Sequence, residues 1–278
     1  MNRPLPTSRS TTDPLSDPVI EADIEKALDD LGVDAPAGLT DRTLVAVGLA
    51  DAYGPLETVI GPIWVAFNGL GVSALESAQS GPAFEARFRA SHGRPAHRLA
   101  ELPPRLTAAI QRRLDGDRRV SIPLDLRGHS TFEKDVWLKA LEIPRGEVRP
   151  YGWIAAEIGR PKAVRAVGTA LGHNPVPLVV PCHRVVRTDG MLGQYSLGGP
   201  ANKRALLASE GLDPDGLEGL ARSGVRYIGS DTTRIYCLPT CHNAKRITAR
   251  HRSSFRSAAA AAGAGYRACL ECRPAVAA

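Results

Sequence analysis

Along the chain, apolar positions fall into short blocks whose spacing changes character near residue 128. Before that point, "ETVIGPIWVAFNGLGVSAL" (57–75) reads as two apolar strands broken at Asn68-Gly69. "FEARFRASHG" predicts a helix, with Phe84 and Phe88 four positions apart and Gly93 ending it. "LTAAIQRRLDG" predicts another. "RRVSIPLDL" alternates, placing Val120, Ile122, Leu124 and Leu126 on one face, and predicts the clearest half-buried strand of the chain. A short amphipathic helix is expected over 18–32. Residues 41–128 are therefore expected to form a mixed α/β domain.

After Gly128 the pattern turns helical. "STFEKDVWLKAL" opens with a capping box, Ser130 to Glu133, and should bury Phe132, Val136 and Trp137. "IPRGEVRP" reads as a loop, and "YGWIAAEIG" as a short helix closed by Gly159. Pro161 should start a second helix, "PKAVRAVGTALG", closed by Gly172. Two short helices joined by a tight turn suit a helix-turn-helix, although any αα corner would look alike. On the second helix Ala163, Ala166, Gly168 and Ala170 are small, and Arg165 is the one long side chain among them. Such a face can approach a nucleic-acid groove with Arg165 as probe; it can equally pack on a neighbouring helix. "PLVVP" predicts a short strand fixed by prolines, with Cys182 at its tip and His183 next. A thiol there is either core packing or a nucleophile served by the imidazole.

Charge sharpens the picture at both ends. The 278 residues carry a formal +6, but residues 1–40 hold eight acids against three bases, and residues 231–278 hold eight bases against two acids. The basic end suits a polyanion, or is a solvated face. The leader "MNRPLPTSRSTTDPLSDP" has four prolines and no apolar core, so it reads as disordered rather than as a secretory signal. No run is long and apolar enough for a membrane span. A cytoplasmic, reducing setting is expected.

In that setting the cysteines take on meaning. "CLPTC" and "CLEC" place Cys237, Cys241, Cys269 and Cys272 as C-x3-C and C-x2-C pairs within 36 residues, which favours a four-cysteine zinc site over two disulfides. Few large apolar residues lie between the pairs, so the metal should supply much of that segment's folding energy. Cys182 remains as the odd thiol.

The run Phe132 to Glu210 resembles the O6-alkylguanine-DNA alkyltransferases. It carries "FEKDVW", "IPRGEV", "PKAVRAVGTAL", "NPVPLVVPCHRVV", "GQYSLGG" and "LLASEG" in that family's order. With the upstream α/β segment, the resemblance covers residues 41 to 215. It implies a ribonuclease H-like α/β domain (41–128) and a winged-helix-like, largely helical alkyltransferase domain (129–215). It implies that Cys182 accepts an alkyl group from guanine O6, or from O4 of methylthymine. His183 would take the thiol proton through a water, with Glu210 orienting the imidazole. Tyr151 would donate to guanine N3, and Asn174 would brace the turn. Arg165 would replace the flipped base, with Ala163, Ala166 and Gly168 against the groove. Tyr195 and Ser196 would line the pocket, and the Val185 carbonyl would read the guanine amine. Pro150 stands where that family often has serine.

The segment "DTTRIYCLPTCHNAKR…FRSAAAAAGAGYRACLECRP" resembles the zinc-binding phosphotriester-repair module of Ada, and gives a small zinc domain over 216–278. The resemblance implies that zinc-bound Cys237 accepts a methyl group from a methylphosphotriester, with Cys241, Cys269 and Cys272 as co-ligands; a purely structural zinc site is the alternative. In Ada this module precedes the alkyltransferase, whereas here it follows, and no segment is left for a second DNA-binding domain. The expected partner is double-stranded DNA with alkylated bases or phosphates; no protein partner is implied. The competing function is an alkylation sensor that regulates transcription when the zinc-site cysteine is methylated.

Overall fold

The computed structural model describes Lys26, residues 38–77 and residues 80–274. Apart from Lys26, the helix expected over 18–32 lies outside the described residues. After helix α1 (Leu39–Ala46), strands β1 (Asp51–Leu56), β2 (Ile63–Asn68) and β3 (Gly71–Glu76) form an antiparallel meander. Helix α2 (Gly81–His92) follows, and β4 (Ala96–Arg98) then pairs parallel to β1, giving the order β3-β2-β1-β4. The turn at Gly69-Leu70 falls where the Asn-Gly pair predicted it. Residues 57–62 are not strand, however, and β1 went unread because "DAYGPL" carries Gly54-Pro55. The proline is tolerated because β4 reaches only Asp51–Tyr53, so Pro55 has no β4 partner that needs its N–H.

Two further helices of this part match expectation. Helix α2 starts at Ser80, whose hydroxyl accepts from Ala83 N, and stops at Gly93 with φ 67°. Helix α3 (Pro104–Leu114) buries Ile110. "RRVSIPLDL" is a correction: Ile122, Leu124 and Leu126 are half-buried, but the stretch is not a strand and makes one isolated bridge, Val72 to Leu124. Pro123 supplies no N–H to extend a ladder, and its carbonyl accepts from Val72 N. Gly71 is required at that crossing, since a Cβ on it would stand 2.4 Å from the Pro123 oxygen.

Helix α4 (Thr131–Ala140) has the full capping box and buries Val136 and Trp137, with Phe132 half-buried. Strand β5 (Arg149–Pro150) lies inside the stretch read as a loop and runs directly into helix α5 (Tyr151–Glu157). Helix α6 (Val164–Gly172) starts three residues later than expected, because Pro161 and Lys162 form a turn; Gly172 is its last residue and not a cap. The Trp137 indole N–H donates to Ala170 O and locks α4 to α6. Strand β6 (Val185–Val186) pairs parallel with β5. Helices α7 (Gly199–Ser209) and α8 (Pro214–Arg222) complete this part.

The cysteine segment builds its own sheet. Strands β7 (Tyr227–Ser230), β8 (Ile235–Cys237), β9 (Arg252–Phe255) and β10 (Arg267–Ala268) take the order β10-β8-β7-β9, with helices α9 (His242–Lys245) and α10 (Ala258–Gly263) beside it. Gly229 is required here: a Cβ would meet the Tyr266 ring at 2.7 Å.

Mixed α/β architecture is thus present in the first sheet and its helices. One apolar cluster runs from Leu56, Val65 and Leu75 through Trp137 and Ile154 to Cys182 and Leu206, so the sheet and the helical part share a core across residue 128. A second cluster surrounds the four cysteines. No described helix is long and apolar enough to cross a membrane.

A buried polar network pins the first sheet. Asp51 accepts from Asn68 Nδ2 (3.0 Å), Ser73 Oγ (2.5 Å) and Arg94 Nε (2.5 Å), while Asp125 accepts from Asn68, Arg94 and Arg127. Asp51→Ala leaves Arg94 short of its counter-charge and should cost about 3–5 kcal/mol in urea unfolding. Glu76→Ala, which removes the exposed partner of Arg87, should cost under about 1 kcal/mol. Equal losses in the two variants would show that burial does not set the strength of this network.

Candidate active site and metal centre

The stretch before Cys182 is not the strand that its prolines suggested. Residues 177–180 form a tight turn closed by a Pro177–Val180 bridge, and Leu178 takes the left-handed conformation at φ 74°. Leu178 is 2% exposed, so its side chain is anchored in the core while its backbone bears the strain. Cys182–Arg184 is a single 3₁₀ turn leading into β6. Cys182 therefore sits at the start of a turn, held by its own N–H to Val180 O (2.8 Å). Asn174 ties this arrangement together through its side-chain amide. Its amide donates to Val180 O (3.1 Å) and Cys182 Sγ (3.2 Å), and its oxygen accepts from Val176 N (3.0 Å). Pro175 O takes Leu75 N (2.8 Å), which fastens the turn to β3.

Burial dominates the electrostatics. It pushes the Cys182 thiol up, against the opposing pull of the Asn174 amide and the Lys203 charge. It pushes His183 down, so the imidazole is neutral at neutral pH. His183 Nε2 meets Glu210 Oε1 at 2.9 Å, and Nδ1 is buried without a protein partner among the described residues. Burial also raises Glu210, but its hydrogen bonds with His183 and Arg184 outweigh it and hold the carboxyl at about 2. Tyr151, at the N-terminus of α5, is raised by burial and by Cys182, and stays a proton donor.

Beside the thiol, Tyr195 is buried, its hydroxyl has no partner among the described residues, and its ring stands edge-on to His183 with centroids 6.1 Å apart. Ser196 is exposed. The Val185 carbonyl already accepts Lys203 Nζ at 2.6 Å, leaving one lone pair free. Arg165 and Ala166 are exposed on α6, with Ala163 and Gly168 half-buried. Arg165, Gly168 and Tyr151 line an open cavity of about 480 Å³ with Arg187 and Thr188 opposite. Cys182, 6% exposed, is not on its wall.

The four remaining thiols converge. Cys237 ends β8, Cys241 precedes α9, and Cys269 and Cys272 flank the turn after β10; all four are buried, with their sulfurs within 4.8 Å of one another. Tetrahedral zinc with Zn–S near 2.3 Å needs sulfurs roughly 3.8 Å apart, so the set fits that ion. Backbone N–H of Leu238 donates to Cys272 Sγ and the Asn243 amide to Cys269 Sγ. Among the described residues no N–H donates to Cys237 Sγ. Cys237 also lines a cavity of about 510 Å³ with Thr232, Thr233, Arg246 and Arg267.

Residues 131–212 match the family described as 6-O-methylguanine DNA methyltransferase, DNA binding domain, and residues 221–275 match the metal binding domain of Ada. The methylated-DNA–protein-cysteine methyltransferase of Mycobacterium tuberculosis is 54% identical over 89 residues, 32% of this chain and 53% of that protein. The chain belongs to the methylated-DNA–protein-cysteine methyltransferase family. The regulatory protein Ada of Salmonella typhimurium is 39% identical over 151 residues, 52% of this chain and 42% of that one. The chain thus spans about half the length of the curated relatives it matches. Mycobacterium tuberculosis OGT, in a crystal structure with DNA, is 34% identical over 57% of this chain and 92% of that chain, with a TM-score of 0.45. The Ada-type domain makes the four-cysteine cluster a zinc site.

Two residues of this site escaped the sequence. Arg184 was visible in "PCHR", yet nothing in the motif says that its guanidinium turns inward to grip Glu210 (2.7 Å). Lys203 looks like any helical lysine, but it is fully buried and burial lowers it to about 8. Only the lack of space around it could have betrayed it.

Glu210 yields a pH prediction. Its folded value lies below the ordinary 4.5, so its stabilisation is complete above pH 4.5 and is lost as pH falls toward 2. Glu210→Gln should flatten the stability-versus-pH curve between pH 4.5 and 3, as read by urea unfolding. An unchanged slope would mean that the carboxylate gains nothing from its partners.

Proposed function

We propose that the protein repairs alkylated DNA by irreversible transfer to two of its own thiols. Cys182 takes the alkyl group of O6-methylguanine, and of O4-methylthymine by the same chemistry. The observation that carries this reading is the Asn174–Cys182–His183–Glu210 array, in which a buried thiol and a neutral imidazole are both braced on one turn. His183, held at Nε2 by Glu210, offers Nδ1 toward a water that relays the thiol proton. The Cys182 sulfur forms a bond to the alkyl carbon as the carbon–O6 bond breaks, and Tyr151 supplies a proton to guanine N3. The product thioether does not revert, so each chain reacts once at this site.

Arg165 fills the stack left by the flipped base, while the small face of α6 lies in the minor groove. The finer architecture follows the same reading: a ribonuclease H-like domain over 41–128, a winged-helix-like domain over 129–215, and a zinc domain over 216–278. A cytoplasmic setting suits five cysteines that form no disulfide.

A zinc ion held by Cys237, Cys241, Cys269 and Cys272 would keep the four thiolates deprotonated at neutral pH. Among the described residues no N–H donates to Cys237, so its thiolate would keep charge that such bonds withdraw from Cys272 and Cys269. Arg246 and Arg267 in the cavity beside it would hold a phosphate, which supports Cys237 as acceptor for a methylphosphotriester. Zinc affinity and the Ada likeness also fit an alkylation-switched regulator, which would show a promoter footprint only after Cys237 is methylated.

DNA labelled at the O6-methyl group should pass no more than one label per chain, and Cys182→Ala should abolish transfer; label that survives the substitution refutes this role. Arg165→Ala should slow transfer by about 10-fold or more, since base extrusion costs a few kcal/mol. With DNA carrying methylphosphotriesters, mass spectrometry should place one methyl on Cys237 and none on Cys241, Cys269 or Cys272. Absence of methyl from all four would make the zinc site purely structural.

A further inference from the structure

Several hydrogen bonds from the zinc module fall on residues 146–148, and others on helix α5 and Glu142. Thr240, inside the C-x3-C pair, accepts Val148 N at 2.9 Å and reaches Val148 O at 3.3 Å. His242 N donates to Glu147 Oε1 (3.1 Å) and Lys245 Nζ to Gly146 O (2.9 Å). Three successive residues are thus held by the first cysteine loop. From the second pair, Cys272 O accepts the Trp153 indole N–H at 3.1 Å. Arg273 reaches Glu157 at 2.9 Å with its guanidinium 5.5 Å from the Trp153 ring centroid.

The segment so clamped carries much of the guanine site. Gly146 N donates to Glu210 Oε2 (3.1 Å), the carboxylate that orients His183. Arg149 and Pro150 pair with Val185 and Val186, three residues beyond Cys182. Tyr151 comes next in the chain, and Trp153 lies on the helix that Tyr151 begins. Thr240 lies between two of the clustered cysteines and Cys272 O belongs to a third, so a bound ion would fix both groups that hold this segment.

We propose that Thr240 and Trp153 are positioning residues for alkyl transfer at Cys182, through which zinc binding sets the placement of Tyr151, Glu210 and Val185. The proposal rests on the reading of Cys182 as the alkyl acceptor. It makes the zinc site part of base repair as well as of phosphotriester repair. Displacing a reacting group by about 1 Å can cost on the order of 100-fold in rate, so a brace of this kind has leverage.

Hydrogen exchange on the whole chain tests the brace without any substrate. Chelation of zinc under reducing conditions should raise exchange at 237–272 and also at 146–158, while β1–β3 stays protected. Full protection of 146–158 beside an opened 237–272 overturns the proposal. Thr240→Val removes both hydrogen bonds of the Thr240 hydroxyl at nearly constant volume, and Trp153→Phe removes the indole N–H bond while keeping an aromatic ring. Each should keep one zinc per chain and wild-type affinity for undamaged DNA, yet lower the saturating single-turnover rate at Cys182 by about 3- to 10-fold. Thr240→Ser should restore it. Wild-type rates in both variants also overturn the proposal. Failure of the zinc-loaded wild type to transfer any label would instead sink the assignment of Cys182, and the exchange data would still judge the brace.

Discussion

Glu210 ends helix α7 with its carboxylate turned inward, where it meets the His183 imidazole, the Arg184 guanidinium and the Gly146 N–H. The side chain is 7% exposed, so nearly all of its hydration has been exchanged for these partners. Burial alone would neutralise it; a charged donor and two further hydrogen bonds keep it ionised. That charge fixes which nitrogen of His183 faces away, and hence what the imidazole can do for the sulfur. It also gives Arg184 the counter-charge without which a buried guanidinium could not stay. The helix end, the 3₁₀ turn and the loop after α4 are held in register by this one group.

On the proposed reading, the two acceptor sulfurs meet the same problem differently. A thiol must lose its proton to attack carbon, yet both sulfurs are buried. Cys182 lies in a site that raises its pKa, so its proton must be drawn off at the moment of reaction by a base kept neutral nearby. At Cys237 a bound zinc would displace the proton in advance, and the N–H bonds of the cluster go to Cys272 and Cys269 instead. One strategy suits a small uncharged base that can be taken out of the duplex, the other a phosphate that stays on the backbone.

Much of this was legible in the sequence wherever a residue's chemistry needs only its neighbours. The cysteine spacing, the capping box at Ser130, the glycine stops at Gly93 and Gly159, and the Asn-Gly break all act within a turn or two. What misled was alternation without hydrogen bonds. Residues 120–126 have the apolar spacing of a strand, but a proline at its centre leaves a single bridge. "PLVVP" has the composition of a strand and folds as a turn, because prolines fix φ without choosing a ladder, and Leu178 can adopt a left-handed backbone when its side chain is well buried. Strand β1 was hidden for the converse reason, since Gly-Pro reads as a turn unless the far edge is known to be free. Arg184 and Lys203 needed the third dimension: their residue types are ordinary, and only enclosure makes them unusual.

The bonds that join Val148 to Thr240 and Trp153 to Cys272 link residues 92 and 119 positions apart. The β1–β3 meander, by contrast, is built from neighbours. Closing long loops costs entropy before any contact rewards it, so pairings of that separation are the last to be gained in folding and among the first to be given up. Assembly of this molecule therefore has a natural order, with the sheet and its helices first and the metal-bearing segment latched on afterwards. A chain caught before the latch closes has an intact core but a slack loop beneath its reactive turn.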